Sequence, residues 1–409
     1  MKRCVAILAL LVGVIPAAHA DALPARFIIT GSGYGHGVGL SQIGAKGLAL
    51  EGKSAIDIAQ YYFPGTLIDT SVAASTIRVN VAHQATYVSI ALSTTGISQR
   101  IDLMSGSDST TAINAQSGTS RQTFRFSIVG QKISAVMAPF EKGIPTTVYP
   151  AQSLFTLYWN SSNLSRILLK SSTGNIELKY GKIQLRAVAM NGGNFRIEVT
   201  NILKVDTEYV YGISEMSSSW PSSALQVQAI ASRTYGIARL GSMKKACDCN
   251  LYSSKYDQVF TGYAKESEVK YGALWKAAVD QTAGQFITYG HKVISVYFSS
   301  STGGTTQRSQ DVWGTSFPYL TNVPDPWSLD IVLNPNYSHW QRVLNQSDVI
   351  IAFSLPDVAT LKIDSRTVTN SALTVTATSS SGTSQQLPIG VFKSKLLIPS
   401  SWFEIAAGY

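Results

Sequence analysis

Hydrophobic and polar residues alternate with period two along much of the chain, in short runs broken by Ser, Thr and Gly. The clearest runs are "STIRVNVA" (75–82), "TYVSIALST" (86–94), "FRFSIVG" (124–130), "IELKYGKIQLRAVAM" (176–190), "NFRIEVTNILKV" (194–205) and "ALTVTATSSS" (372–381). Alternation rich in Val, Ile, Tyr and Thr predicts strands with one buried face. Residues 72–204 therefore read as almost all β, and 342–409 as β-leaning. The cluster "LMSGSDSTTAINAQSGTS" (103–120) reads as turns or loop. No internal repeat is present.

Two segments change to helical spacing. In "KSAIDIAQYYFPG" (53–65), Ser54 is placed to cap a helix with Asp57 three residues on. Ala55, Ile58, Ala59 and Tyr62 share one face, and Pro64-Gly65 stops the run. The second helix is expected from Pro221 toward Gly241, with Val227, Ile230, Ala231, Thr234 and Ala238 on one face. Gln226, Gln228, Arg233 and Tyr235 point elsewhere. "FITYGHKVISVYF" (286–298) reads as a hairpin turning at Gly290.

The first twenty residues have a different pattern. Lys2 and Arg3 precede an apolar run from Cys4 to Ile15, and Ala18-His19-Ala20 has the form of a cleavage site. This is the pattern of a secretory signal peptide, too short for a comfortable membrane span. The 389 residues after position 20 suffice for two or three lobes. The expected location is outside the cytoplasm: secreted, cell-wall associated or periplasmic, with no transmembrane span after cleavage. Removing Lys2 and Arg3 lowers the formal charge from +9 to +7. A modest basic excess suits an anionic surface, but the basic residues are dispersed, which argues against nucleic acid.

Cysteine is scarce beyond position 20: only Cys247 and Cys249, in "KKACDCNLY". A strained Cys-x-Cys bridge, a free thiol pair and half of a metal site all remain open. His36, His83, His291 and His339 stand at no metal-ligand spacing.

Candidate chemistry gathers in four places. Glu215 stands before 24 residues, Met216–Arg239, without another carboxylate. The run "GSGYGHGVGLSQIGAKG" (31–47) holds six glycines from Gly31 to Gly44 and fits neither a dinucleotide fingerprint nor a nucleophile elbow. Its glycines permit close approach of the backbone to a ligand or to another segment. The loop "YFSSSTGGTTQRSQDVWG" (297–314) offers Ser299, Ser301, Thr302 and Gln307 to a sugar, or to solvent. In "PYLTNVPDPW" (318–327), Trp327 is either a sugar platform or packing.

These residues together resemble the SpoIID/LytB domain family. Glu215-Met216, Trp220-Pro221, Ala224-Leu225, Gln228-Ala229, Ala231 and Arg233-Thr234-Tyr235 match its core motif in order. "DQVFTGY" (257–263), the block 278–327 and the Gly-His-Gly run continue the match over roughly 160 residues. The resemblance implies an α+β fold: a β-rich SpoIID-like core with a few helices, plus an additional β-rich lobe. The expected layout is 1–20 signal peptide, 21–70 Gly-His-Gly segment, 71–200 β-rich lobe, 201–340 catalytic core, and 341–409 a C-terminal β segment closing the core.

The order departs from the family, in which the Gly-His-Gly block comes last. Here it comes first, while "KSKLLIPSSWFEIAAGY" looks like the strand that normally precedes it. The chain thus reads as a circular permutation, with Phe27–Ile29 expected beside Trp402–Ile405. Some relatives bind zinc through a His and two spaced Cys. The closer spacing here departs from that pattern, so no metal and no cofactor are expected.

The resemblance implies a peptidoglycan lytic transglycosylase that cleaves between N-acetylmuramic acid and N-acetylglucosamine, with Glu215 as the one catalytic acid. A hydrolase needs a second carboxylate; the substrate's own C6 hydroxyl removes that need. His36, Ser41, Gln42, Gln228, Arg233, Tyr235, Gln258, Ser301 and Gly303 are the candidate glycan-binding residues, and Asp257 or Asp311 would be the second carboxylate of a hydrolase. The expected partners are peptidoglycan glycan strands, including strands denuded of peptides. The family's amidase enhancers supply the alternative, a non-catalytic glycan binder that stimulates a cell-wall amidase.

Overall fold

The computed structural model describes residues 23–71, 75–93, 101–106, 122–139, 146–159 and 165–406. The signal-peptide pattern, and residues 107–120 of the expected loop 103–120, lie outside the described residues. Residues 103–105 are strand rather than loop, part of Ile101–Ser105.

The architecture is α+β and β-rich. Two six-stranded sheets dominate the described residues between 75 and 204. In one, Thr76–Ala85 and Phe195–Lys204 lie centrally with Lys182–Ala189, Leu154–Trp159 and Ile101–Ser105 following outward. In the other, Tyr87–Leu92 and Gln122–Val129 are central. Alternation explains the pairing. Ile77 and Val79 from one sheet and Val88, Ile90, Phe124 and Phe126 from the other point into a single core. Phe126 meets Phe155 across it at 5.9 Å between ring centroids. The short strand Leu251–Tyr252 adds to the first sheet, parallel to Thr76–Ala85. A loop from the later part of the chain is thereby bound to the sandwich.

The helix Ser222–Ile237 is the axis of the remainder. It begins with Pro221 as N-cap and ends four residues short of Gly241. Its buried side chains run all round, including Gln228, Ser232, Arg233, Thr234 and Tyr235. One side joins the sandwich core through Leu225, Ala229 and Tyr235. The other packs Val227, Ile230 and Ala231 against the helix Ala55–Tyr62 and the strand Gln285–Tyr289. The helix Ala55–Tyr62 buries Ala55, Ile58, Ala59 and Tyr62, and Ser54 and Asp57 form the expected capping box. The hairpin also forms: Tyr289 pairs with Lys292 across Gly290 and His291, both at positive φ, as a two-residue hairpin turn requires.

The strand Arg26–Ser32 lies between Trp340–Asn345 and Trp402–Ile405. Ile29 faces Ile405 and Ser32 faces Trp402 in an antiparallel register, the expected neighbourhood of these two strands. Phe27 and Ile29 share a core with Phe353, Phe392 and Phe403, under the sheet formed by Thr360–Arg366, Ala372–Thr378 and Ser384–Pro388. Cys247 and Cys249 form a disulfide, both fully buried.

Candidate functional site

Glu215 is set by a short ladder. Ile213 bridges Phe260, the Ser214 amide donates to the Val259 carbonyl at 2.8 Å, and Thr261 donates to Gly212 at 2.8 Å. The ladder closes because position 212 has no side chain: a Cβ there would stand 2.3 Å from the Phe260 ring. The Val259 amide, next in line, donates to Glu215 Oε1 at 2.6 Å. From the other side, Gln42 Nε2 donates to the Glu215 carbonyl at 3.1 Å and to Gln228 Oε1 at 3.2 Å. Gln228 in turn donates to Ser232 at 3.1 Å. The Gly-His-Gly block thus pins the backbone of Glu215 to the central helix.

The carboxyl of Glu215 faces a cavity of about 310 Å³ walled by His36, Tyr235, Tyr256, Asp257, Tyr297 and Trp313. Burial raises its pKa above the ordinary carboxylate value, and the Val259 hydrogen bond opposes that only in part. Among the described residues no cation pairs with it. Asp257, in the same wall, is committed elsewhere. It meets Lys244 Nζ at 2.8 Å and accepts from the Tyr252 amide at 2.8 Å and the Tyr235 hydroxyl at 3.1 Å.

His36 stands at the rim beside aromatic rings, 5.0 Å from Trp313, which itself lies 4.5 Å from Tyr297. The Val38 amide donates to His36 Nδ1 at 3.0 Å, and a further hydrogen bond joins the ring to the Phe298 backbone. Burial, with Lys393 nearby, lowers its pKa from 6.5 to about 4. A neutral imidazole with both nitrogens engaged fixes the loop. The alternating glycines have the same purpose. Gly37 sits against the Trp402 ring and Gly39 against the Tyr297 carbonyl, each at positive φ with no room for a Cβ. They are close approaches to other segments of the chain.

Several residues expected to bind glycan stand elsewhere. Arg233 is fully buried; it pairs with Asp206 at 2.8 Å and donates to the Val279 and Gln285 carbonyls. Gln228 is internal, and Ser41 caps the helix Gln42–Leu50 by accepting from Gly44. Gln258 is buried under the Tyr209 hydroxyl. Ser301 is wholly buried, and Gly303 packs against Trp402. Ser299, Thr302 and Gln307 are interior as well, with Thr302 bonded to Asp325 and Gln307 to Ser401. Trp327 packs on Gly47 and donates to Glu51, so it is packing rather than platform. Asp311 pairs with Arg308 at 2.9 Å and does not line the cavity. The physical reason is common to all: a polar side chain satisfies a buried seam as readily as a ligand.

The structure brings Glu215, His36 and Tyr235 together at one cavity, with Gln42 behind. Tyr256, Tyr297 and Trp313 were not among the sequence candidates. Tyr297 and Trp313 flank the Ser/Thr/Gly loop, so the signal lay in the aromatic ends of that stretch and not in its hydroxyls. Among the described residues no cluster of three or more His, Cys, Asp or Glu is arranged to hold a metal ion.

Comparison with known proteins gives the class of the domain. Residues 194–289 match the family model SpoIID, Stage II sporulation protein. Among similar proteins, the amidase enhancer of Bacillus subtilis (strain 168) is 28% identical over 204 residues, covering 40% of this chain and 27% of that protein. Stage II sporulation protein D of the same organism is 33% identical over 132 residues, covering 29% of this chain and 38% of the relative. Its counterpart from Bacillus amyloliquefaciens is 35% identical over 132 residues with the same coverage. The chain therefore spans well under half the length of these relatives.

Proposed function

We propose that this protein is a cell-wall protein that cleaves peptidoglycan glycan strands as a lytic transglycosylase, with Glu215 as its single general acid and base. The observation that carries the reading is the state of Glu215: a carboxyl of raised pKa, facing a largely aromatic cavity that Lys255 also lines, with no ion pair to it among the described residues. Burial favours the protonated form of such a carboxyl, the form that can donate to the glycosidic oxygen. As that bond breaks, the C6 hydroxyl of the muramic ring attacks the anomeric carbon. The Glu215 carboxylate takes the hydroxyl proton, leaving a 1,6-anhydro end. Asp257 supports the single-acid reading, because its oxygens are already held by Lys244, Tyr252 and Tyr235. Tyr297, Trp313 and Tyr256 would stack on sugar rings, while Gln42 positions Glu215 without touching substrate.

The similarity to an amidase enhancer favours a second reading, in which the cavity binds denuded glycan and the protein stimulates a cell-wall amidase. Mass spectrometry of products from peptide-free glycan strands separates the two. Anhydro ends from wild type and none from Glu215→Gln support cleavage. Glycan binding without products, together with faster amidase turnover, supports the enhancer. Reducing ends would mean hydrolysis and return attention to Asp257.

A further inference from the structure

A second cavity, of about 460 Å³, shares Tyr256 as a lining residue with the Glu215 cavity. Its walls come from two parts of the chain. Asn80 and His83 belong to a sandwich strand and Thr173 to a hairpin turn of the other sheet; Tyr252 and Ser254 precede Asp257 on the loop that leads to Glu215. No lysine, arginine, aspartate or glutamate lines it.

The wall carrying His83 is built. Pairing of Thr76–Ala85 with Phe195–Lys204 slips opposite residues 82–85, leaving an extra residue in the first strand. Gln84 there adopts φ 55°, strained for a residue with a side chain. Glu198, wholly buried, holds the bulge by accepting from the Gln84 amide at 3.0 Å, Asn80 Nδ2 at 2.8 Å and His83 Nδ1 at 3.0 Å. A bulge of this kind re-aims a side chain. Here it presents the His83 ring, 40% exposed, edge-on to Tyr252 with 5.0 Å between centroids. With Nδ1 engaged by Glu198, Nε2 is the ring nitrogen left to meet a ligand.

We infer that this second cavity is a sugar-binding subsite, occupied by the same glycan strand that reaches Glu215 and continuous with that site over Tyr256. The inference rests on the glycan reading of the Glu215 cavity and extends it to the sandwich. The chemistry selects the ligand. Hydrogen-bonding groups of Asn80, His83, Thr173 and Ser254 match hydroxyl and acetamido groups. The ring of Tyr256, 82% exposed, offers a face for the apolar side of a pyranose, and Tyr252 holds the wall beside His83. A wall without lysine or arginine gives little hold to a phosphate or a carboxylate. The sandwich then contributes recognition as well as scaffold, and strand length becomes part of specificity.

Calorimetry on chain carrying Glu215→Gln, which keeps the ligand uncleaved, tests this with a peptide-free disaccharide and hexasaccharide of alternating N-acetylglucosamine and N-acetylmuramic acid. The hexasaccharide is expected to bind about tenfold more tightly or better. Adding Tyr252→Ala, or Thr173→Trp at an exposed turn, should bring the ratio of the two affinities close to one. Thermal melting selects folded variants, and the Thr173 substitution touches no core position. A hexasaccharide that binds no more tightly, or a ratio that survives in both folded variants, overturns the second subsite. Glycan cleavage by wild type with a flat ratio removes the subsite alone. Absence of both binding and cleavage removes the glycan reading with it.

Discussion

Glu215 and His36 lie on the same cavity and are shifted in opposite directions for the same reason. Burial disfavours charge, so the carboxyl pKa rises and the imidazole pKa falls. The consequences for stability have opposite signs. Folded Glu215 holds its proton to higher pH than the unfolded chain does, so its contribution is present at low pH and is lost as pH rises through the raised pKa. Glu215→Gln removes that loss. The variant should melt at or above wild type at pH 7, with the difference shrinking toward pH 4, as scanning calorimetry at several pH values would reveal. Folded His36 binds its proton less readily than the unfolded chain. Its contribution is full above pH 6.5 and is lost as pH falls toward about 4. His36→Asn should flatten that acid limb of the stability curve, and an unchanged limb would mean the ring is solvated. Activity, if Glu215 is the acid, should fall on the alkaline side as Glu215 loses its proton.

At the scale of elements, the site depends on contacts between segments far apart in sequence. Gln42, at the start of one helix, bonds simultaneously to the Glu215 carbonyl and to Gln228 in the middle of another. Gln42→Leu leaves two buried acceptors without a donor, at a cost of about 1–3 kcal/mol, readable by urea unfolding. Because Gln42 acts through Glu215, the variant should lower kcat more than it raises KM. Much of the element structure was legible: the capping box at Ser54, the Gly290 turn and the strand alternation are local rules, and they hold. The central helix was harder. It is buried on all sides, so periodicity pointed to one apolar face and left Gln228 and Arg233 looking available to a ligand.

For the whole molecule, the pairing of Arg26–Ser32 with Trp402–Ile405 places the two ends of the described chain in one sheet. An antiparallel pair of this kind can be joined by a turn. A reordered chain, 75–406 followed by a short Gly/Ser linker and 23–71, tests the permutation expected from the sequence. It should fold with circular dichroism and a cooperative melt like those of the parent. An unfolded product would sink the permutation reading. The same scale explains the sandwich: Leu251–Tyr252 joins its sheet, and the loop that follows carries Tyr256 and Asp257 to the cavity.

The sequence by itself determined what depends on near neighbours and on motif: strand-rich composition, two helices and where they start, the hairpin turn, and Glu215 as an acid that stands apart from other carboxylates along the chain. Only the tertiary structure decided which polar side chains face a cavity and which satisfy the interior. Arg233, Gln228, Ser301 and Gln258 carry the same donors and acceptors in either role, and the choice depends on what packs around them. The aromatic wall of Tyr256, Tyr297 and Trp313 was equally hidden, because an aromatic ring reads as core until the fold leaves one face open. The bulge that turns His83 outward requires a buried Glu198 more than a hundred residues away, a pairing that no local pattern encodes.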